Sequence, residues 1–186
     1  MSEKTLDRQA AKQIVIAERD NGKTNQEIYL QLKEQYSDLK GIANLITGTA
    51  LKSDIEKYKL YNRILVAILV FAAVFQVLFV INYAVAPNII KMVLISVPPI
   101  LYVWAAFPIS RYEGSVYRSC GGLTIATNLS QLGNTQLMNF SDTVTVIIDV
   151  VLIVLIVFLC FYLDAKLFPN YSPSSLKTDR KGDYIL

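Results

Sequence analysis

The 186 residues suffice for one ordinary domain or for a small domain joined to a few membrane helices, and a net charge of +3 is too small to point to a nucleic-acid partner. The chain contains no histidine, which removes Ser–His and Cys–His pairs and the commonest metal ligand. Hydrophobic residues make up 53% of it but are unevenly spread: residues 1–63 carry 11 Lys or Arg and 9 Asp or Glu, whereas residues 64–90 carry no charged side chain.

Residues 1–50 read as a trihelical module. Leu6, Ala10, Ile14 and Ala17 recur at helical spacing, and Asn21-Gly22 supplies a left-handed stop. Thr24 and Glu27 form a capping box ahead of Ile28, Tyr29 and Leu32. Asp38 is placed to cap a third helix whose stripe of Leu39, Ile42 and Ile46 ends at Gly48. These six apolar residues, Ile28, Tyr29, Leu32, Leu39, Ile42 and Ile46, form the candidate partner-binding face. A helix-turn-helix reading has to contend with charge. Residues 24–48 offer Lys33 and Lys40 against Glu27, Glu34 and Asp38, a poor surface for phosphates.

Residues 51–63 are a helical connector into a first span over 64–86. That stretch exceeds the roughly 20 apolar residues needed to cross a bilayer. A last span over 144–163 is equally apolar. Between them, residues 89–110 are long enough to cross, but Pro98 and Pro99 divide them into halves of about 15 Å each. The segment is therefore expected either to cross with a kink or to re-enter as a hairpin. Three spans put six Lys or Arg inside against five outside; a re-entrant middle puts eight against three. Hydrophobicity favours three. Residues 111–143, rich in Ser, Thr, Asn, Gln and Gly, are expected to form a polar loop carrying an accessible Cys120, with Cys160 shielded. Residues 164–186 are expected to form an exposed tail, tied down at Tyr184-Ile185-Leu186.

Asp149 lies about two turns into the last span, where an unpaired carboxylate is costly and often functional. Arg111 is its expected partner, and Lys91 that of Asp164. Gln76, near the middle of the first span, is expected to join helices by hydrogen bonding, within the chain or between copies. The expected fold is thus an all-α integral membrane protein of about three transmembrane helices with a small cytoplasmic N-terminal module. The charged opening from Met1 to Asn21 lacks the apolar core of an export signal, which assigns that module to the cytoplasmic side, of a bacterial inner membrane by expectation. The expected partners are the lipid bilayer and a protein partner or a second copy of the chain, without a metal or cofactor. The function expected is that of a non-enzymatic accessory, regulatory or immunity-type subunit. An oligomeric pore or ion pathway using Asp149 and the proline-broken segment is the alternative, and a membrane-tethered helix-turn-helix regulator the third.

Overall fold

The computed structural model describes residues 7–83, 89–132, 143–169, 178–179 and 183–186. Its regular elements are all α-helices: α1 (Arg8–Asp20), α2 (Asn25–Lys33), α3 (Leu39–Thr47), α4 (Lys52–Tyr83), α5 (Ile89–Ser110), α6 (Gly114–Leu132) and α7 (Thr143–Leu167). The chain divides into two compact units. One holds Met1–Lys52 together with Phe168–Leu186, the other Ser53–Leu167.

In the first unit, local signals set the helix ends. Asp7 accepts the amides of Gln9 and Ala10 at the start of α1, and Gly22, at φ +85°, makes the turn after it. Thr24 and Glu27 satisfy each other's backbone amides across the first turn of α2. Asp38 accepts the amide of Gly41; a Cβ at Gly41 would run into the Asp38 carboxylate, which would have to move from its capping position to admit it. The three helices then close over Ala11, Val15, Ile28, Tyr29, Leu32, Tyr36, Ile42, Ala43 and Ile46. Each large side chain in that set contributes about 1.5–3 kcal/mol by leaving water. Residues 183–186 lie along this unit, with Tyr184 and Leu186 half-buried against its core and Ile185 exposed.

In the second unit each helix turns one stripe inward. On α4 the stripe is Tyr58, Asn62, Leu65, Leu69 and Ala72–Ala73; on α7 it is Leu152, Ile156, Leu159–Cys160, Leu163–Asp164 and Leu167. The residues between these stripes are apolar and exposed. Val70, Phe71, Val74, Trp104, Phe107, Val154 and Phe158 are among them. Among the described residues two helices are long and apolar enough to cross a membrane, over Lys52–Leu78 and Ile147–Leu167, and 33% of the most apolar stretch of each is buried.

Of the two alternatives for the middle segment one is removed, and the expected loop after it is corrected. The segment 89–110 does not turn back at Pro98-Pro99: α5 is one continuous helix through Pro98, Pro99 and Pro108. Both Pro98 and Pro99 are buried, and a proline inside a helix is tolerated where neighbouring groups take up the freed carbonyls. Nor is 111–143 a loop throughout, because residues 114–132 form α6, which packs against both α5 and α7. Only three residues join α5 to α6. The amide of Glu113 donates to the carbonyl of Pro108 and that of Tyr112 to Ile109, a Schellman turn with Tyr112 in the left-handed position at φ 56°. The rest of the expected loop, 133–142, lies outside the described residues.

Candidate functional site

The inward stripes of the second unit are not uniformly apolar. The side chain of Asn62, on α4, donates to the carbonyl of Ile109 at 3.0 Å, at the end of α5. The hydroxyl of Tyr117, on α6, donates to Asn62 Oδ1 at 2.6 Å. The next residue on α6, Arg118, holds Asp164 of α7 with its guanidinium, Nη2 at 2.6 Å and Nε at 3.0 Å from the same carboxylate oxygen. Above them Tyr58, Tyr61 and Tyr162 form a ring cluster with centroids 5.9–6.4 Å apart. The start of α4, the end of α5, the start of α6 and the end of α7 therefore meet at one end of this unit. Consecutive helices run up and down in alternation.

A second polar layer lies farther along. Gln76 Nε2 donates to Asp149 Oδ1 at 3.2 Å, joining α4 to α7. Gln76 follows Asn62 by 14 positions, so the two layers are about 21 Å apart along α4. On the α5–α6 side, Asn128 donates to the carbonyl of Thr124 at 2.8 Å and approaches the Tyr102 hydroxyl at 3.4 Å. Such bonds between helices are each worth about 0.6–2 kcal/mol in an apolar setting. Close backbone approach accompanies them: a Cβ on Gly121 would come within 3.0 Å of the Phe161 ring and 3.3 Å of the Cys160 Cβ.

The expected site residues distribute as follows. Asp149 and Gln76, read separately in the sequence, are partners. Arg111 does not pair with Asp149; its guanidinium lies 3.9 Å from the centroid of the Phe107 ring, at the opposite polar layer. Asp164 pairs with Arg118; the side chain of Lys91, its expected partner, lies outside the described residues. Cys120 is buried beside Cys160, both as free thiols, because it faces inward from α6 and not from a loop. The candidate partner-binding face is the first unit's own core. Ile28, Tyr29, Leu32, Ile42 and Ile46 are fully buried there and Leu39 is half-buried, so a partner would have to meet other atoms.

Asn62, Tyr117, Arg118 and Asn128 were not singled out by sequence, yet a signal existed. Asn62, Leu69 and Gln76 are spaced by sevens, as are the inward positions Tyr117, Thr124 and Leu152, Leu159 on their own helices. Arg19 was missed as well. It sits in the last turn of α1 and donates to Asn25 Oδ1 at 2.8 Å, to the carbonyl of Ile46 at 2.8 Å and to that of Thr49 at 2.7 Å. One half-buried guanidinium thus ties all three helices of the first unit, and its partial burial draws it below its ordinary value.

Chemically, these polar groups are engaged with one another across helix interfaces. No group of three or more metal-ligating side chains occurs among the described residues. Comparison with known protein families, with characterised proteins and with solved structures returns no match for this chain.

Proposed function

We propose that the chain is an integral membrane protein whose second unit crosses the bilayer four times, and that it serves as a non-enzymatic accessory or regulatory subunit that binds a protein partner. The observation carrying the membrane reading is the inversion of the second unit. Its exterior is apolar over Val70, Phe71, Val74, Trp104, Phe107, Val154 and Phe158, while Asn62, Tyr117, Asn128 and Asp164 are buried and paired across helices. An apolar belt of that extent is untenable against water and suited to lipid.

Four crossings fit better than the three suggested by hydrophobicity. Residues 183–186 belong to the same compact unit as α1–α3, which supports both ends of the chain lying on one side and hence an even number of crossings. Even crossings also follow from the tyrosine cluster, which joins the start of α4 to the end of α7. Charge agrees. With four crossings, Lys52, Lys57, Lys59, Arg63, Arg111, Arg118, Lys166, Lys177, Arg180 and Lys181 fall on one side and Lys91 alone on the other. Ten against one is the bias expected for a cytoplasmic face. The 19 residues of α6 rise about 28 Å, close to the hydrocarbon thickness.

The binding role rests on the self-contained first unit, which is held together by its own core and Arg19. It also rests on the engagement of Asp149 with Gln76, which argues for packing over conduction. Topology is tested with single cysteines in a Cys120→Ser, Cys160→Ser background, using a membrane-impermeant maleimide on intact and opened cells. Four crossings expect Gln136→Cys to label in intact cells, and Glu113→Cys and Thr178→Cys only after opening. Labelling of Thr178→Cys in intact cells would restore three crossings, and labelling of Glu113→Cys there would restore the hairpin. For function, deletion of residues 1–48 is expected to abolish activity in the host while Asp149→Asn retains it. The reverse result, with conductance in liposomes lost in Asp149→Asn, would favour the ion pathway.

A further inference from the structure

The contact of residues 183–186 with α2 has the form of peptide recognition. The side-chain amide of Gln26 donates to the carbonyl of Tyr184 at 3.1 Å, and its oxygen accepts the amide of Leu186 at 2.9 Å. A carbonyl at one residue and an amide two residues on are the groups that one edge of an extended strand presents. Gln26 reads both with one planar amide, as an adjoining strand would. Side chains alternate accordingly: Tyr184 and Leu186 pack on the core while Ile185 is 57% exposed. The Tyr184 ring meets Tyr29 edge-on, with centroids 6.1 Å apart at 87°. Ahead of it, Asp183 takes both carboxylate oxygens to within 2.6 Å of Lys33 Nζ.

These contacts fall on one face of α2, since Gln26, Tyr29 and Lys33 are spaced by three and four residues. Each reads a different feature: backbone, ring and charge. We infer that this face is a peptide-reading site for an extended segment with an acid, an aromatic, any residue and an aliphatic in order, and that residues 183–186 cover it in cis. A partner protein carrying that pattern would compete with the tail for the site. This deepens the partner-binding reading above and rests on it for the partner, though not for the contact in cis. A tethered segment acts at an effective concentration on the order of millimolar, so only a partner of good affinity or high local abundance displaces it.

The probe is a fluorescent peptide of Thr178–Leu186, titrated by polarisation against the intact chain and against a chain ending at Lys177, in the same detergent. Saturable binding to the shortened chain is expected, at least tenfold tighter than to the intact one. In the peptide, Tyr184→Ala should weaken binding at least tenfold and Ile185→Lys less than twofold. Lys33→Glu in the shortened chain should weaken it tenfold, and a peptide with Asp183→Lys should recover it. No saturable binding, equal binding to both chains, or equal damage from Ile185→Lys and Tyr184→Ala would overturn the inference. Intact chains that associate through exchanged tails, seen as a dimer lost on shortening, would overturn the cover in cis.

Should the shortened chain fail to fold, hydrogen exchange on the intact chain decides. The Leu186 amide should exchange at least tenfold faster in Lys33→Glu and return to its original rate when Asp183→Lys is added; an unchanged rate overturns the inference. Failure here leaves the deletion of residues 1–48 free to support a different binding surface. Peptide binding with an intact phenotype after that deletion would keep this site and remove the proposed role.

Discussion

The two units place their apolar side chains in opposite directions. In the first, Val15, Ile28, Leu32 and Ile46 are sealed inside while Lys12, Lys23, Glu34 and Lys40 face outward. In the second, Phe71, Trp104, Val154 and Phe158 face outward, while Asn62, Thr124, Asn128 and Asp164 are buried. Both units are helical and obey the same rule of one stripe per helix facing the interior. What differs is the medium each exterior suits, and therefore what a polar residue is for: solvation in one unit, helix-to-helix specificity in the other.

That contrast breaks most readily at its charged pair. Arg118→Ala leaves the Asp164 carboxylate, only 3% exposed, with nothing opposite it, and should cost about 3 kcal/mol in thermal unfolding of the detergent-solubilised chain. Adding Asp164→Asn should recover much of that loss; no recovery would mean that packing, not charge pairing, holds α6 to α7. In the first unit Arg19→Met should cost about 2 kcal/mol, read as faster hydrogen exchange across α3, because two carbonyls and Asn25 lose their donor together. Next comes Thr24→Ala, at about 1 kcal/mol, confined to the amides at the start of α2.

Smallest of the four is Asp149→Asn. Its amide still accepts from Gln76 and adds a donor for Gln76 Oε1, which has no partner among the described residues, so the change should stay within about 0.5 kcal/mol. Asp149→Ala, which offers Gln76 nothing, should cost about 1 kcal/mol by the same unfolding measurement. A large loss for Asn and a small one for Ala would mean that the carboxylate serves something other than packing.

Acid and base sharpen the comparison within the first unit. The backbone amide of Thr24 holds the Glu27 carboxyl below its ordinary value, and hydrogen bonding from Lys23 does the same for Glu18. Their contributions are complete above the usual carboxylate range and are lost as pH falls through the lowered folded values. Asp183 holds Lys33 above its ordinary value, so the tail's grip is complete below the usual lysine range and is lost as pH rises through the raised folded value. Hydrogen exchange at the start of α2 should therefore respond to acid, and exchange at Leu186 to base.

Legibility followed the same division. In the first unit Gly22, the Thr24–Glu27 box and the Asp38 cap were readable because each is a contact between residues two to four apart. The stripe of Ile28, Leu32, Ile42 and Ile46 was readable too, but not its destination: burial in a core and docking to a partner leave the same pattern in a sequence. In the second unit α6 was hidden by its own chemistry. Its Ser, Thr and Asn residues resemble a loop until their partners are known. Ser119 and Thr127 return hydrogen bonds to carbonyls four residues back, and Arg118 and Asn128 find α7 and α5. Those partners lie 26–46 residues away, beyond any local pattern. Asp149 stood out as an exception within an apolar run, but its partner 73 residues away could not be read from spacing.

The short turn at Tyr112 has a consequence in time. With three residues between them, α5 and α6 leave synthesis as one hairpin, yet Arg118 is made 46 residues before Asp164. At about 5–20 residues per second, the arginine waits roughly 2–9 s for its carboxylate. Throughout that interval α6 lacks the neighbour that buries it, and the hairpin is the part of the nascent chain most dependent on outside protection. Completion of α7 therefore acts as a checkpoint: a chain truncated before Asp164 should be cleared by quality control, however well its first unit has folded.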